Sequence, residues 1–256
     1  MAVTDPWILL AASTIAGAIN SVAGGGSLIT FPVLVWLGRE PILANATNTV
    51  SLAPGSLAAL HGFRRELGGL RDWIVRGTLP SLAGGVLGAV LLLATPAPIF
   101  KDLVPYLILF ATALFALSEP INAAARRRAG HAGSSGIPDD PAWVPMLLYQ
   151  FVVSVYGGYF GAGIGIMMHA GLALVGFVAI HRALALRNYY AVLINGIAAL
   201  YFICFGAVAW GDAAVLTAGQ VIGGFVGARA VRNLPASTVR WMVVAVGVAM
   251  AISLFR

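Results

Sequence analysis

The chain has 256 residues, 60% of them apolar and 9% charged, with a mean hydropathy of +0.92; soluble domains carry about 25% charged residues, so a soluble globule is excluded. A crossing of the roughly 30 Å hydrocarbon core takes about 20 helical residues, so about eight hydrophobic segments fill the chain and leave no room for a soluble catalytic domain. In such a protein the net charge of +6 reads as loop topology rather than nucleic-acid binding.

The first stretch free of Asp, Glu, Lys and Arg covers 6–38. Met1 to Pro6 carry Asp5 and no Lys or Arg, so the positive start of a signal peptide is missing and the segment is expected to stay in the mature protein. Glycines at 24, 25 and 26 are poor helix interior, and they split 7–37 into two halves too short to cross alone. Ordinary spans are predicted in 41–63, 77–100 and 103–118. From Asn122 to Asp140 the chain turns hydrophilic, with Arg126 to Arg128, glycine, serine and two aspartates. Another overlong apolar stretch, 141–181, is broken by glycines between 157 and 165, and spans follow in 188–211, 213–228 and 241–255. Cys204 is the one cysteine, so no internal disulfide can form.

The two halves repeat. Ala23 to Ser27 align with Gly161 to Gly165, Thr47-Asn48 with Arg187-Asn188, Ala58 to Leu60 with Ala198 to Leu200, and Gly84 to Gly88 with Gly223 to Gly227, at separations of 138 to 140 residues. The chain therefore divides into a first membrane repeat (1–121), a cytoplasmic linker (122–140) and a second membrane repeat (141–256). Were every segment a simple crossing, Lys and Arg would divide seven against eight; with 141–181 entering and returning on one side they divide twelve against three. The positive-inside rule prefers the second arrangement. The charges leave 7–37 undecided between a re-entrant pair and a single kinked span, and repeat symmetry extends the re-entrant reading to it. The predicted fold is an all-α polytopic membrane protein of two inverted repeats, each a broken re-entrant segment plus three transmembrane helices.

The run Asn20 to Pro32, the run Ala44 to Val50 and the run Tyr156 to Gly165 resemble the TauE/SafE sulfite-exporter family of permeases, and the likeness extends through Trp210-Gly211 and Gly223 to Gly227. Ile164 interrupts the second glycine motif, and His169 stands where an aliphatic residue is more usual in that family. The resemblance implies a permease of the cell membrane, a bacterial inner membrane, that carries small sulfur-containing anions such as sulfite, sulfonates and sulfoacetate.

A chain that turns at mid-bilayer exposes peptide groups and so implies a cavity. Half-helices starting near Ser27 and Ile166 aim unpaired N–H groups and positive dipole ends into it, an arrangement suited to an anion. Ser27 is expected to cap, while Thr47, Asn48 and Asn188 add neutral donors. Together the resemblance and this reading place the substrate at Asn20, Ser21, Gly24, Gly25, Gly26, Ser27, Thr47, Asn48, Gly161, Gly163, Gly165, His169, Arg187 and Asn188. Several have a plainer role open: Asn48 and Asn188 as interhelical hydrogen-bond partners, Arg187 as a snorkelling cytoplasmic anchor, and His169 as a structural rather than a titrating histidine. Gly84 to Gly88 and Gly223 to Gly227 read as close helix packing.

All nine carboxylates lie at segment ends or in loops and the histidines lack metal-ligand spacing, so neither an enzyme nor a metal or other cofactor is expected. The expected partners are a small anionic substrate and the lipid bilayer, with no nucleic acid; a coupling proton or cation and the oligomeric state stay open. A secondary carrier is the leading reading, beside a passive anion channel and a non-transporting membrane partner protein.

Overall fold

A computed structural model describes residues 6–22, 25–128, 136–138, 141–177, 179–224 and 236–254. Among them are eleven helices and no strand: α1 (Pro6–Val22), α2 (Ser27–Trp36), α3 (Pro41–Gly62), α4 (Arg71–Ala94), α5 (Ala97–Ala116), α6 (Ser118–Arg128), α7 (Trp143–Tyr159), α8 (Ile164–Leu174), α9 (Ile180–Cys204), α10 (Trp210–Ile222) and α11 (Ala236–Leu254). Both overlong apolar stretches are broken at their glycines, into α1 and α2 and into α7 and α8. By length and composition α4, α5 and α9 are apolar enough to cross a membrane. α3 is as long, but its Asn, Thr and Ser content lowers its hydropathy, and those residues face inward.

Local signals set the helix starts. Glu40 caps α3 by accepting from the Leu43 N–H at 2.9 Å, and Pro41 occupies the first helical position, where a missing N–H costs nothing. Asp72 lies in the first turn of α4, near the positive dipole end. α6 runs from Ser118 to Arg128, across the boundary expected at 121; an ion pair of 2.7 Å between Glu119 and Arg240 ties it to α11.

The packing repeats with the sequence. α1 lies against α10 as α7 lies against α4, α3 against α10 as α9 against α4, and α3 meets α9 while α5 meets α11. Close approach explains the second pair of glycine motifs. A Cβ at Gly84 would stand 2.7 Å from the Phe151 carbonyl oxygen and 3.0 Å from the Val155 nitrogen. A Cβ at Gly223 would collide with the Thr14 carbonyl and stand 2.9 Å from the Ala18 nitrogen. Thr14 and Ala18 precede Phe151 and Val155 by the same 137 residues, so one seam is built twice.

Directions follow from side-chain contacts. Gln150 reaches Ser81 at 3.0 Å and Tyr159 reaches Thr95 at 3.3 Å, so α7 runs alongside α4 in the same sense. Thr47 meets Ala209 at 3.0 Å and Ser51 meets Gln220 at 3.1 Å, so α3 and α10 also agree. The Asn45 amide donates to the Tyr159 carbonyl at 2.9 Å, which brings the start of α3 to the level where α4 ends. Two buried apolar clusters hold the helices. One gathers Phe31, Leu34, Phe100, Ile108, Phe160 and Phe202; the other gathers Trp73, Met146, Met168, Leu172, Leu186 and Tyr190. Trp7, Leu79, Val144, Leu148 and Tyr106 are largely exposed on the outside, an apolar surface suited to lipid.

Candidate functional site

Each break between half-helices turns on a glycine with a left-handed backbone. Gly25 has φ +106° and Gly163 has φ +85°, a region that side chains disfavour. They stand 138 residues apart, in the register of the repeat. At Gly25 a Cβ would also press within 2.7 Å of the Phe115 ring. The first corner is closed by Asn20, whose Oδ1 accepts from the Gly26 N–H at 3.4 Å. Ser27, the expected cap, is instead the first helical residue of α2, and no side chain caps at Gly26. In the second corner Gly163 is the cap residue of α8.

A cavity of about 420 Å³ lies between these corners and the inner faces of α3 and α9. Asn20, Gly25, Ser27, Asn48, Gly161, Gly163, Gly165, Arg187 and Asn188 all line it. Among the described residues of the lining Arg187 is the one cation, and none is Asp, Glu or His. Its guanidinium lies over the start of α8, where a Cβ on Gly165 would come within 3.3 Å of Cζ and 3.4 Å of Nε. The Gly165 N–H makes no hydrogen bond to a described residue, and Gly165 and Arg187 line the same cavity. Among the described residues Arg187 has no carboxylate partner, and its NH2 donates to Asn188 Oδ1 at 3.4 Å. Arg187 is half-buried, and its charge is offset by no carboxylate among the described residues.

The remaining candidates lie elsewhere. Thr47 is fully buried and its hydroxyl accepts from the Ala209 N–H at 3.0 Å, so it fastens the start of α10 rather than facing the cavity. His169 is half-buried on α8 outside the lining. Gly26 serves through its N–H to Asn20. Ser21 lies on α1 with its side chain undescribed, and Gly24 lies outside the described residues. Asn48 combines its two readings, since it lines the cavity and is bonded across helices to Thr30 at 2.6 Å.

Sequence reasoning missed Asn195, Thr49, Ser56 and Gln220, which complete the polar lining. Asn195 was findable: it stands seven residues beyond Asn188, two helical turns along the same face. Gln220 enters from α10, where it bonds to Ser51 of α3, a contact that no local pattern announces. Among the described residues no group of His, Cys, Asp or Glu could hold a metal ion.

The family model described as Sulfite exporter TauE/SafE matches residues 9–254. A protein of Haemophilus influenzae named probable membrane transporter protein is 32% identical over 244 residues, which cover 93% of this chain and 89% of the relative. Probable membrane transporter protein ORF9 of a Sinorhizobium species is 29% identical over 251 residues, 96% of this chain and 90% of the relative. Probable membrane transporter protein YfcA of Escherichia coli K12 is 29% identical over 253 residues, 96% of this chain and 88% of the relative. No solved structure matches the chain.

Proposed function

Because the chain belongs to the sulfite exporter TauE/SafE family of multi-pass membrane proteins, we propose that it is a secondary carrier whose substrate is a small sulfur-containing anion of the sulfite, sulfonate or sulfoacetate class. The carrying observation is Arg187: a guanidinium in a cavity of about 420 Å³ whose other polar lining, among the described residues, is neutral. An oxyanion seated there receives the planar guanidinium fork, the Gly165 N–H and the positive end of α8 together. Glycines at the corners let it approach the backbone.

A carrier also needs two halves that rock about the site. The helix directions support inverted halves: α1 runs with α10 and α3, α7 runs with α4, and α3 opposes α4, so α1 and α7 oppose one another. The hydrogen bond of 3.0 Å from the Ala179 N–H to the Gly136 carbonyl brings together the two ends of 141–181, which supports a segment that enters and returns on one side.

The test is counterflow in proteoliposomes of the purified protein, with sulfite, methanesulfonate, sulfoacetate, thiosulfate and plain carboxylates as the panel. Saturable exchange of a sulfur anion is expected. Flux that does not saturate and shows no counterflow identifies a channel, and the absence of flux for every anion rejects transport of this class.

A further inference from the structure

We propose that Thr30 is a positioning residue for the anion site: it holds the Asn48 amide so that its amino end, and not its carbonyl, faces the cavity. This rests on the anion-carrier reading above and assigns how the cavity selects charge.

An asparagine side chain offers two donors at one end and an acceptor at the other, so a cavity lined by asparagines can favour either sign of charge. Three asparagines here have the acceptor end already engaged. Asn20 Oδ1 takes the Gly26 N–H at 3.4 Å, Asn188 Oδ1 takes the Arg187 NH2 at 3.4 Å, and Asn48 Oδ1 takes the Thr30 hydroxyl at 2.6 Å. In the Thr30 contact the hydroxyl donates to the Asn48 carbonyl, so the carbonyl and not the amino group lies against Thr30. The Asn48 Nδ2 bonds to no described residue, yet it is absent from the atoms sealed off without a partner, so its open side is the cavity. Asn48 and Asn188 stand 140 residues apart on α3 and α9, so the two halves present the same group. They clamp it differently. Asn188 is held by the very arginine that would meet the substrate, whereas Asn48 is held by a residue that never touches the cavity.

Thr30 is fully buried on α2, and the one proton of its hydroxyl has two acceptors, the Gly26 carbonyl at 3.1 Å and the nearer Asn48 Oδ1 at 2.6 Å. Without the hydroxyl donor, the Asn48 amide can turn over and offer the cavity an acceptor, which repels an anion. The effect belongs to substrate affinity.

The experiment measures the KM and maximal rate of methanesulfonate counterflow by the full-length protein in proteoliposomes. The variants are Thr30→Val, Thr30→Ser, Asn48→Ala and the double variant Thr30→Val/Asn48→Ala. Asn48→Ala is expected to raise KM about tenfold, the worth of one hydrogen bond to a charged ligand. Thr30→Val is expected to raise it by at least about threefold with the maximal rate per folded molecule retained, and Thr30→Ser to restore it. In the Asn48→Ala background Thr30→Val should add nothing, because its action passes through the amide. If Thr30→Val does not fold, Thr30→Cys, similar in bulk with only a weak S–H donor, takes its place. A normal KM in the Thr30 variant, or an equal further loss in the double variant, overturns the positioning role and leaves the carrier reading intact. An Asn48→Ala variant with normal KM removes Asn48 from the site as well, again leaving Arg187 to carry the reading. Absence of counterflow by the wild-type protein for the whole anion panel overturns the carrier reading and this proposal with it.

Discussion

Arg39 and Asp212 form a two-point ion pair: Nε lies 2.5 Å from Oδ2 and NH2 lies 2.9 Å from Oδ1. The pair joins the connection between α2 and α3 to the first turn of α10, across the two halves of the chain. The repeat-related position in the first half is Asp72, in the first turn of α4, and among the described residues it has no ion pair. At the opposite end the backbone contact between Gly136 and Ala179 closes the hairpin, and the Glu119–Arg240 pair ties α6 to α11.

With side chains 25% and 15% exposed, this ion pair stabilises the fold beyond the worth of a fully solvated pair. Asp212→Asn should cost about 1–2 kcal/mol, read as a lower unfolding temperature in detergent. Arg39→Lys should lose part of the same amount, because an ammonium reproduces the charge but not the fork. Additive effects of Asp212→Asn and Arg39→Ala in the double variant would show the two residues to be uncoupled.

Arg187→Lys keeps the charge beside Gly165 and removes the planar fork. The expected result is a KM for methanesulfonate raised about tenfold, with Arg187→Ala losing counterflow altogether. An unchanged affinity in Arg187→Lys returns this residue to the role of a membrane-interface anchor.

The two kinds of glycine should fail differently. Gly25→Leu forces a side chain at φ +106° into the Phe115 ring, and Gly163→Leu puts one at φ +85° beside the cavity; both should lose transport per folded molecule. Gly88→Leu meets the Val155 carbonyl in the seam between α4 and α7, so its loss should be in folded yield. Normal specific activity in both Gly25→Leu and Gly163→Leu would remove the corners from the site.

Among the described residues no carboxylate or histidine lines the cavity. Counterflow of methanesulfonate, a strong-acid anion whose own charge is constant, should therefore keep a flat KM between about pH 5.5 and 8. A midpoint inside that window would bring in a histidine, and His169 is the candidate to test by His169→Gln.

Residues around Pro138 and Arg182 should be labelled from the same face of the membrane by an impermeant thiol reagent, once Cys204 is replaced and single cysteines are introduced at each. Labelling from opposite faces would contradict the return of 141–181 to its starting side, which the Gly136 to Ala179 contact supports.

The sequence alone carried the all-helical membrane class and the glycine breaks, because hydropathy and helix-breaking are written residue by residue along the chain. It also carried most of the candidate lining, since both glycine corners and the asparagines of α3 and α9 recur at one spacing. It left Arg187 between anchor and counter-charge, for a snorkelling arginine and a site arginine differ only in what surrounds them. Thr47 and Asn48 show the limit most directly. Successive helical residues point about 100° apart, so one fastens α10 and the other reaches the cavity, although the chain places them side by side. Thr30 was invisible for the same reason: its partner is 18 residues away on another helix, and only the packing of α2 against α3 brings hydroxyl and amide together.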